Sequence, residues 1–281
     1  MDILYLVGPH STNGHKDLRY SLRSIDKYGK NIDRIFVCGH CPEFLKNIIK
    51  IECIPDQNLP KTKKIFLQLL YAVEHTDIGI NHDGEFLISM DDHFYVKETD
   101  FNNYPFFVKD YIHRSCRYIL PNQLDYTKMS VDYQQILVNT YHFCINNGLN
   151  VLNFAPHRNM HMNRYVFDEI KQTTILDNYF NNSQEIEGLI TIQNYRLRTH
   201  PFTYLLCIDF KNDNPDEILR YIEKDAQCHC FSTNDFEINS NLDMFLNTLF
   251  PDKCKYETEY ETEYENNITS FIPIVNDNIN S

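Results

Sequence analysis

Short apolar runs alternate with segments of helical period over the first hundred residues, and this alternation leaves few folds open. Ile3-Leu4-Tyr5-Leu6-Val7-Gly8 reads as a buried strand that stops at a Gly-Pro pair. Lys16 to Tyr28 follows with Leu18, Leu22 and Ile25 at helical spacing and Gly29 as its stop. Arg34 to Gly39 and Ile48 to Ile54 read as two more strands, the latter ending at Pro55-Asp56. Ile65, Leu69 and Val73 then mark a helix over Lys61 to Glu74. Glu85 to Met90 runs apolar into Asp91-Asp92-His93. Such an order predicts an α/β fold: a Rossmann-like, open, mostly parallel sheet flanked by helices, in one domain.

Beyond residue 100 the periodicity weakens. Val131 to Asn146, Met162 to Lys171 and Pro215 to Lys224 carry helical patterns, and Tyr204 to Phe210 reads as a strand. Residues 1–257 are assigned to the domain. The Glu-Thr-Glu-Tyr repeat and the Asn-rich stretch of residues 258–281 read as an acidic flexible tail, with a solvated helix as the alternative.

Composition narrows the function. With 39 acids against 26 bases the net charge is −13, so nucleic acid would need a local basic patch, drawn from Arg114, Arg117, Lys128, Arg158, Arg164, Arg196 and Arg198. Only 8 glycines are present, and neither GxGxxG nor GxxxxGK[ST] occurs, which removes the Gly-rich phosphate loops. Nine scattered cysteines suit a reducing compartment. Cys228-His229-Cys230 and Cys38-Gly39-His40-Cys41 look like zinc half-sites but have no partner at ribbon spacing. Without a basic leader or an apolar run of 18 residues, the chain reads as cytoplasmic.

Asp91-Asp92-His93 is the most informative cluster. Adjacent carboxylates at the end of a buried strand are costly unless a cation is near, and strand carboxyl ends are where open α/β sheets bind ligands. Oxygen ligands with one imidazole suit Mn²⁺ or Mg²⁺, with substrate phosphate completing the shell. A capped polar turn is the other reading. Lys61, Lys63 and Lys64 oppose the dipole at a helix start, as diphosphate contacts or as a solvated charge run. Arg19 and Arg23 share a helix face and could grip an anion or pair with Asp17 and Asp26. His157 and His161 have i, i+4 spacing, but Arg158 stands where a zincin needs Glu. One of them completing the Asp91-Asp92-His93 site is an open alternative.

Asp17-Leu18-Arg19-Tyr20-Ser21-Leu22-Arg23-Ser24-Ile25-Asp26-Lys27-Tyr28 resembles a segment of Stealth-type sugar-phosphate transferases and related phage and bacterial glycosyltransferases. The similarity runs through Ile32 to Gly39 and resumes at Phe86-Leu87-Ile88-Ser89-Met90-Asp91-Asp92-His93-Phe94. Phe231-Ser232, Leu242 to Pro251 and Lys255-Tyr256-Glu257 resemble the close of phage-encoded members. The resemblance implies a GT-A-type glycosyltransferase whose D-x-D-like motif holds Mn²⁺ or Mg²⁺ against a nucleotide-sugar diphosphate, UDP-sugar first. Its metal residues fall on Asp91, Asp92 and His93, with His93 departing from the usual third acid. Gly8 ends the nucleotide-side strand.

The sequence therefore nominates Asp92 and His157 as catalytic, and Gly8, Arg23, Lys61, Lys64 and Asp91 as donor-binding residues. The expected activity is metal-dependent sugar transfer from a nucleotide-diphosphate donor to an unidentified acceptor, modified phage DNA or a glycan among them. Stealth-type sugar-phosphate transfer and a metal-dependent nuclease or phosphoesterase are the alternatives. A non-catalytic binding protein ranks last, because it leaves the clustered carboxylates unexplained.

Overall fold

Alternate side chains of the strand Asp2–Val7 divide cleanly between two apolar layers. Leu4 and Leu6 enter one layer, together with Phe36 and Cys38 of Ile35–Gly39 and with Phe86 and Ile88 of Glu85–Ser89. Ile3, Tyr5, Val7, Ile35, Val37 and Leu87 enter the other. A strand that is apolar on both faces has to be covered on both faces. Leu18, Leu22 and Ile25 of the helix Lys16–Tyr28 cover one side. Phe66, Leu69, Leu70 and Val73 of Lys61–His75 cover the other, beside the helices Arg164–Ile170 and Gly188–Thr199. The result is a three-layer α/β architecture.

These statements come from a computed structural model, which describes residues 1–8, 14–53, 55–56, 58–115, 131–154, 157–207, 211–224, 230–233 and 240–258. The main sheet has the order Met160–Asn163, Glu85–Ser89, Asp2–Val7, Ile35–Gly39, Ile49–Glu52. The last four are parallel, with Ile3 level with both Ile35 and Leu87. Met160–Asn163 is antiparallel on the edge.

That edge strand differs from the sequence expectation of a helix starting at Met162. Met160 and Met162 alternate into the core, while His161 points away and its Nε2 lies 2.6 Å from the Tyr104 carbonyl oxygen. The helix starts only at Arg164, where the Asn163 side chain accepts from the Tyr165 N–H. Period two and an N-cap were both present in Met-His-Met-Asn, but four residues are too few to outweigh the helical pattern that follows. The Tyr204–Phe210 strand is cut to Leu205–Leu206, and residues 208–210 lie outside the described residues.

Gly29 ends the first helix as expected. A Cβ there would meet the Ile25 carbonyl oxygen at 2.6 Å and the Phe101 ring at 2.8 Å, so no larger residue fits. At the C-terminal end, Cys230–Ser232 pairs with His93–Tyr95, and Leu242, Leu246 and Phe250 pack around Tyr20, Phe94 and Phe231. Among the described residues, no helix is long and apolar enough to cross a membrane. The expected tail lies outside them from residue 259 onward.

Candidate functional site

The chain runs from the central strand Asp2–Val7 outward through Ile35–Gly39 and Ile49–Glu52, then crosses back to Glu85–Ser89 on the other side. Between Asp2–Val7 and Glu85–Ser89 the connections leave in opposite directions, which opens a crevice at their carboxyl ends. A cavity of about 610 Å³ lies there. Gly8 follows the first of these strands and Met90-Asp91-Asp92 the second, and all four line it. Gly39 (φ +116°) ends the neighbouring strand hard against Val7 O, where a Cβ has no room.

The cavity gathers seven of the eight residues that the sequence nominated: Gly8, Lys61, Lys64, Asp91, Asp92, His93 and His157. Burial pushes the Asp91 carboxyl up to about 8, with Asp17 and Asp92 adding to the effect and Lys61 opposing it. Burial also lowers the His93 imidazole, against the pull of Asp92. His93 Nδ1 lies 3.3 Å from Asn159 Oδ1, and its Nε2 lies 3.9 Å from Asp92 Oδ1. The ligand-free site thus disfavours a second negative charge beside Asp92, a penalty that a bound cation would relieve.

Two sets of cationic side chains stand near the carboxylates, one by Asp91 and one by Asp92. Lys61 and Lys64 stand on the first turns of Lys61–His75, whose N-cap is Pro60. Lys63 of the same turn faces inward and donates to the Phe180 and Asn182 carbonyl oxygens, so it is structural. In the second set Lys211 Nζ lies 3.8 Å from Asp92 Oδ2, beside His157 and Arg158.

Glu187 also lines the cavity, and sequence reasoning missed it. Burial, with help from Glu185, raises its carboxyl to about 7 against the pull of Lys61. Gly188 makes this placement possible: a Cβ there would lie 2.5 Å from Phe66 Cγ, so only glycine lets the two helices approach. The local signal was weak, since Glu-Gly before an apolar run resembles any loop. Lys211, Arg158 and Asp17 were likewise invisible as residues of this cavity, because the first two come from loops and Asp17 from the first turn of Lys16–Tyr28, and only the tertiary fold brings them together.

Arg23 is a correction. It does not line the cavity: its Nε and Nη2 donate to Glu257 at 2.7 and 2.9 Å, and its Nη1 donates to the Phe250 carbonyl oxygen. Arg19 donates to the same carboxylate at 3.2 Å. These arginines anchor the C-terminal segment, a role that no local pattern distinguishes from anion binding. His157 (φ +47°) sits in a loop and His161 in a strand, so their i, i+4 spacing brings no shared site. The basic residues considered for a nucleic-acid groove disperse. Arg164 donates to the Ile78 and Thr76 carbonyl oxygens and Arg196 pairs with Glu85, while Arg117 and Lys128 lie outside the described residues. So do Cys228 and His229; Cys38 is a buried thiol donating to the Gln68 carbonyl oxygen.

Among the described residues, the one trio whose ligand atoms converge within 4.8 Å is Asp2, Asp33 and His82, at the amino ends of the central strands and so at the far end from the cavity. Its charge is already met by Arg34, 2.6 Å from Asp2, and by the N-terminal ammonium nearby. The ligand atoms of Asp91, Asp92 and His93 do not converge in this way, so these residues form no closed three-residue cage.

No family model matches the chain, and no curated protein matches it. Among solved structures it is similar to the galactosyltransferase LgtC in complex with donor and acceptor sugar analogues, at TM-score 0.48 and 11 % identity over 95 % of this chain and 99 % of that one. It is also similar to the apo-form glycosyltransferase GlyE of Streptococcus pneumoniae TIGR4, at 0.39 and 9 % over 89 % and 60 %. At those values the α/β assignment rests on the strand order above.

Proposed function

We propose that the chain is a glycosyltransferase that takes a sugar from a nucleotide-diphosphate donor, with Asp91 and Asp92 holding a divalent cation. One observation supports this most: Gly8, Lys61, Lys64, Asp91 and Asp92 meet in one cavity at the switch point of a parallel sheet. The resemblance at Phe86 to Phe94 gives the same reading. Mn²⁺ or Mg²⁺ bound there would act as a Lewis acid for charge growing on the leaving diphosphate. Lys61 and Lys64 add positive charge fixed in place before the reaction, which costs no reorganisation when the bond breaks. Glu187, half-protonated near neutrality, is the wall residue best suited to take a proton from an acceptor hydroxyl. His157 at the opposite wall orients the acceptor or adds a ligand. UDP-sugars are the first donors to test, and the acceptor is a glycan or a modified base.

The test is calorimetry of UDP with Mn²⁺ and with excess chelator, followed by a nucleotide-sugar panel scored for donor hydrolysis. Binding at least tenfold weaker in chelator and release of UDP are expected. Equal affinity in both conditions removes the metal-bridged site, and release of UMP points to sugar-phosphate transfer.

A further inference from the structure

Four arginines are buried among the described residues, and three of them face a carboxylate. Arg19 and Arg23 share Glu257, and Arg196 has Glu85. The fourth is Arg158, only 5 % exposed, which pairs with no carboxylate among the described residues. Its Nη2 donates to Tyr221 Oη at 3.4 Å, its guanidinium lies 4.9 Å from the Phe107 ring centroid, and its Nε has no hydrogen-bond partner among the described residues. Among the described residues, the titratable groups that act on it most, Tyr104, Cys207, Cys230 and Tyr221, are phenols and thiols. A buried guanidinium with no carboxylate partner among the described residues is expensive, and a protein that keeps one at a cavity wall has a use for its charge.

Position separates Arg158 from the lysines. It precedes the edge strand Met160–Asn163, whereas Lys61 and Lys64 stand on the helix that packs over the central strands Asp2–Val7 and Ile35–Gly39. The strand that runs into Asp91 and Asp92 lies between these elements, with Lys61 acting on Asp91 and Lys211 Nζ 3.8 Å from Asp92 Oδ2. Resting on the glycosyltransferase reading, we propose that Arg158 forms a second anion subsite. It would receive a carboxylate or phosphate carried by the substrate, distinct from the donor diphosphate. A guanidinium presents a planar fork of N–H donors matched to such an oxyanion. The group belongs either to an acidic donor sugar or to an acidic acceptor.

The experiment uses the full chain with Mn²⁺, as wild type, Arg158→Met and Arg158→Lys. UDP, UDP-glucose and UDP-glucuronate are titrated first; glucose and glucose 6-phosphate are then titrated into protein saturated with UDP. The wild type is expected to bind the acidic member of one pair at least tenfold tighter, and the pair that shows this identifies the source. Arg158→Met should erase that preference, keep wild-type affinity for UDP and leave the ligand-free melting temperature equal or higher. Should Arg158→Met not fold, Arg158→Lys carries the same test, with the preference cut severalfold. The proposal is overturned if neither pair shows a preference, if the variants weaken UDP itself, or if the preference survives both. Should no nucleotide bind while glucose 6-phosphate still binds in an Arg158-dependent way, the glycosyltransferase reading fails and the anion subsite stands.

Discussion

Adjacent acids at a strand end act as a pair, and their two members should respond differently to substitution. Asp92→Asn is nearly isosteric and removes one charge without opening a cavity. Metal-dependent UDP binding is expected to disappear while the ligand-free melting temperature moves by no more than about 2 °C, roughly half a kilocalorie per mole for a chain of this size. An Asn that binds UDP and metal as well as the wild type would mean that Asp92 is a turn cap, since Asn caps equally well.

Asp91 gives a pH signature. Its carboxyl is raised to about 8 by burial and by Asp17 and Asp92, so between about pH 4 and 8 the folded chain keeps a proton that the unfolded chain has lost. The contribution of this group to stability therefore falls as pH rises through that window. Asp91→Asn does not titrate, so the variant's melting temperature should gain on the wild type from pH 5 to pH 8. The expected gain is about 3 kcal/mol, or roughly 6 °C or more. Thermal denaturation at both pH values checks it, and a difference constant with pH contradicts the assignment.

At the scale of elements, the helix Lys16–Tyr28 shows how one sequence segment is divided between two tasks. Leu18, Leu22 and Ile25 dock it on the sheet, and Arg19 and Arg23 tie down a segment that lies more than 230 residues away in sequence. Glu257 is fully buried, and its neighbours Lys46 and Thr258 extend the attachment through backbone bonds to Tyr256 and Phe44. Burial alone would raise the Glu257 carboxyl; bonds from Arg23 and Cys254 and the charge of Arg19 outweigh it and hold it below the ordinary range. That stability is present above about pH 4.5 and is lost as pH falls through the lowered value.

Two truncations should then behave oppositely. Removing residues 262–281 takes away an acidic, Asn-rich sequence and is expected to leave the melting temperature unchanged. Ending the chain at residue 253 strands two buried guanidinium groups and should cost about 3 kcal/mol or more, a fall of roughly 6–12 °C. Calorimetric melts of the two shortened chains decide it; a large loss from the first would put the domain boundary beyond residue 258.

For the whole molecule, the site is a consequence of strand order. Placing Glu85–Ser89 on the far side of Asp2–Val7 brings Gly8 beside Asp91, and the two helices that meet over Gly188 bring Glu187 beside Lys61. The sequence by itself determined the α/β class, because apolar runs buried on both faces can only be covered by helices on both sides. It also determined the carboxylate pair, because two acids directly after a buried strand break local rules. Lys61 and Lys64 were legible for the same reason, as cations placed against a helix dipole. Tertiary structure alone decided whether Arg23 meets a ligand or Glu257, because both uses present the same buried face of one helix. It alone turned Met160–Asn163 into an edge strand, and it alone gathered Glu187, Lys211 and Arg158 around the cavity. Those residues are separated by tens of positions and sit in unremarkable local patterns; only the closing of loops over a shared crevice gives their charges a common neighbour.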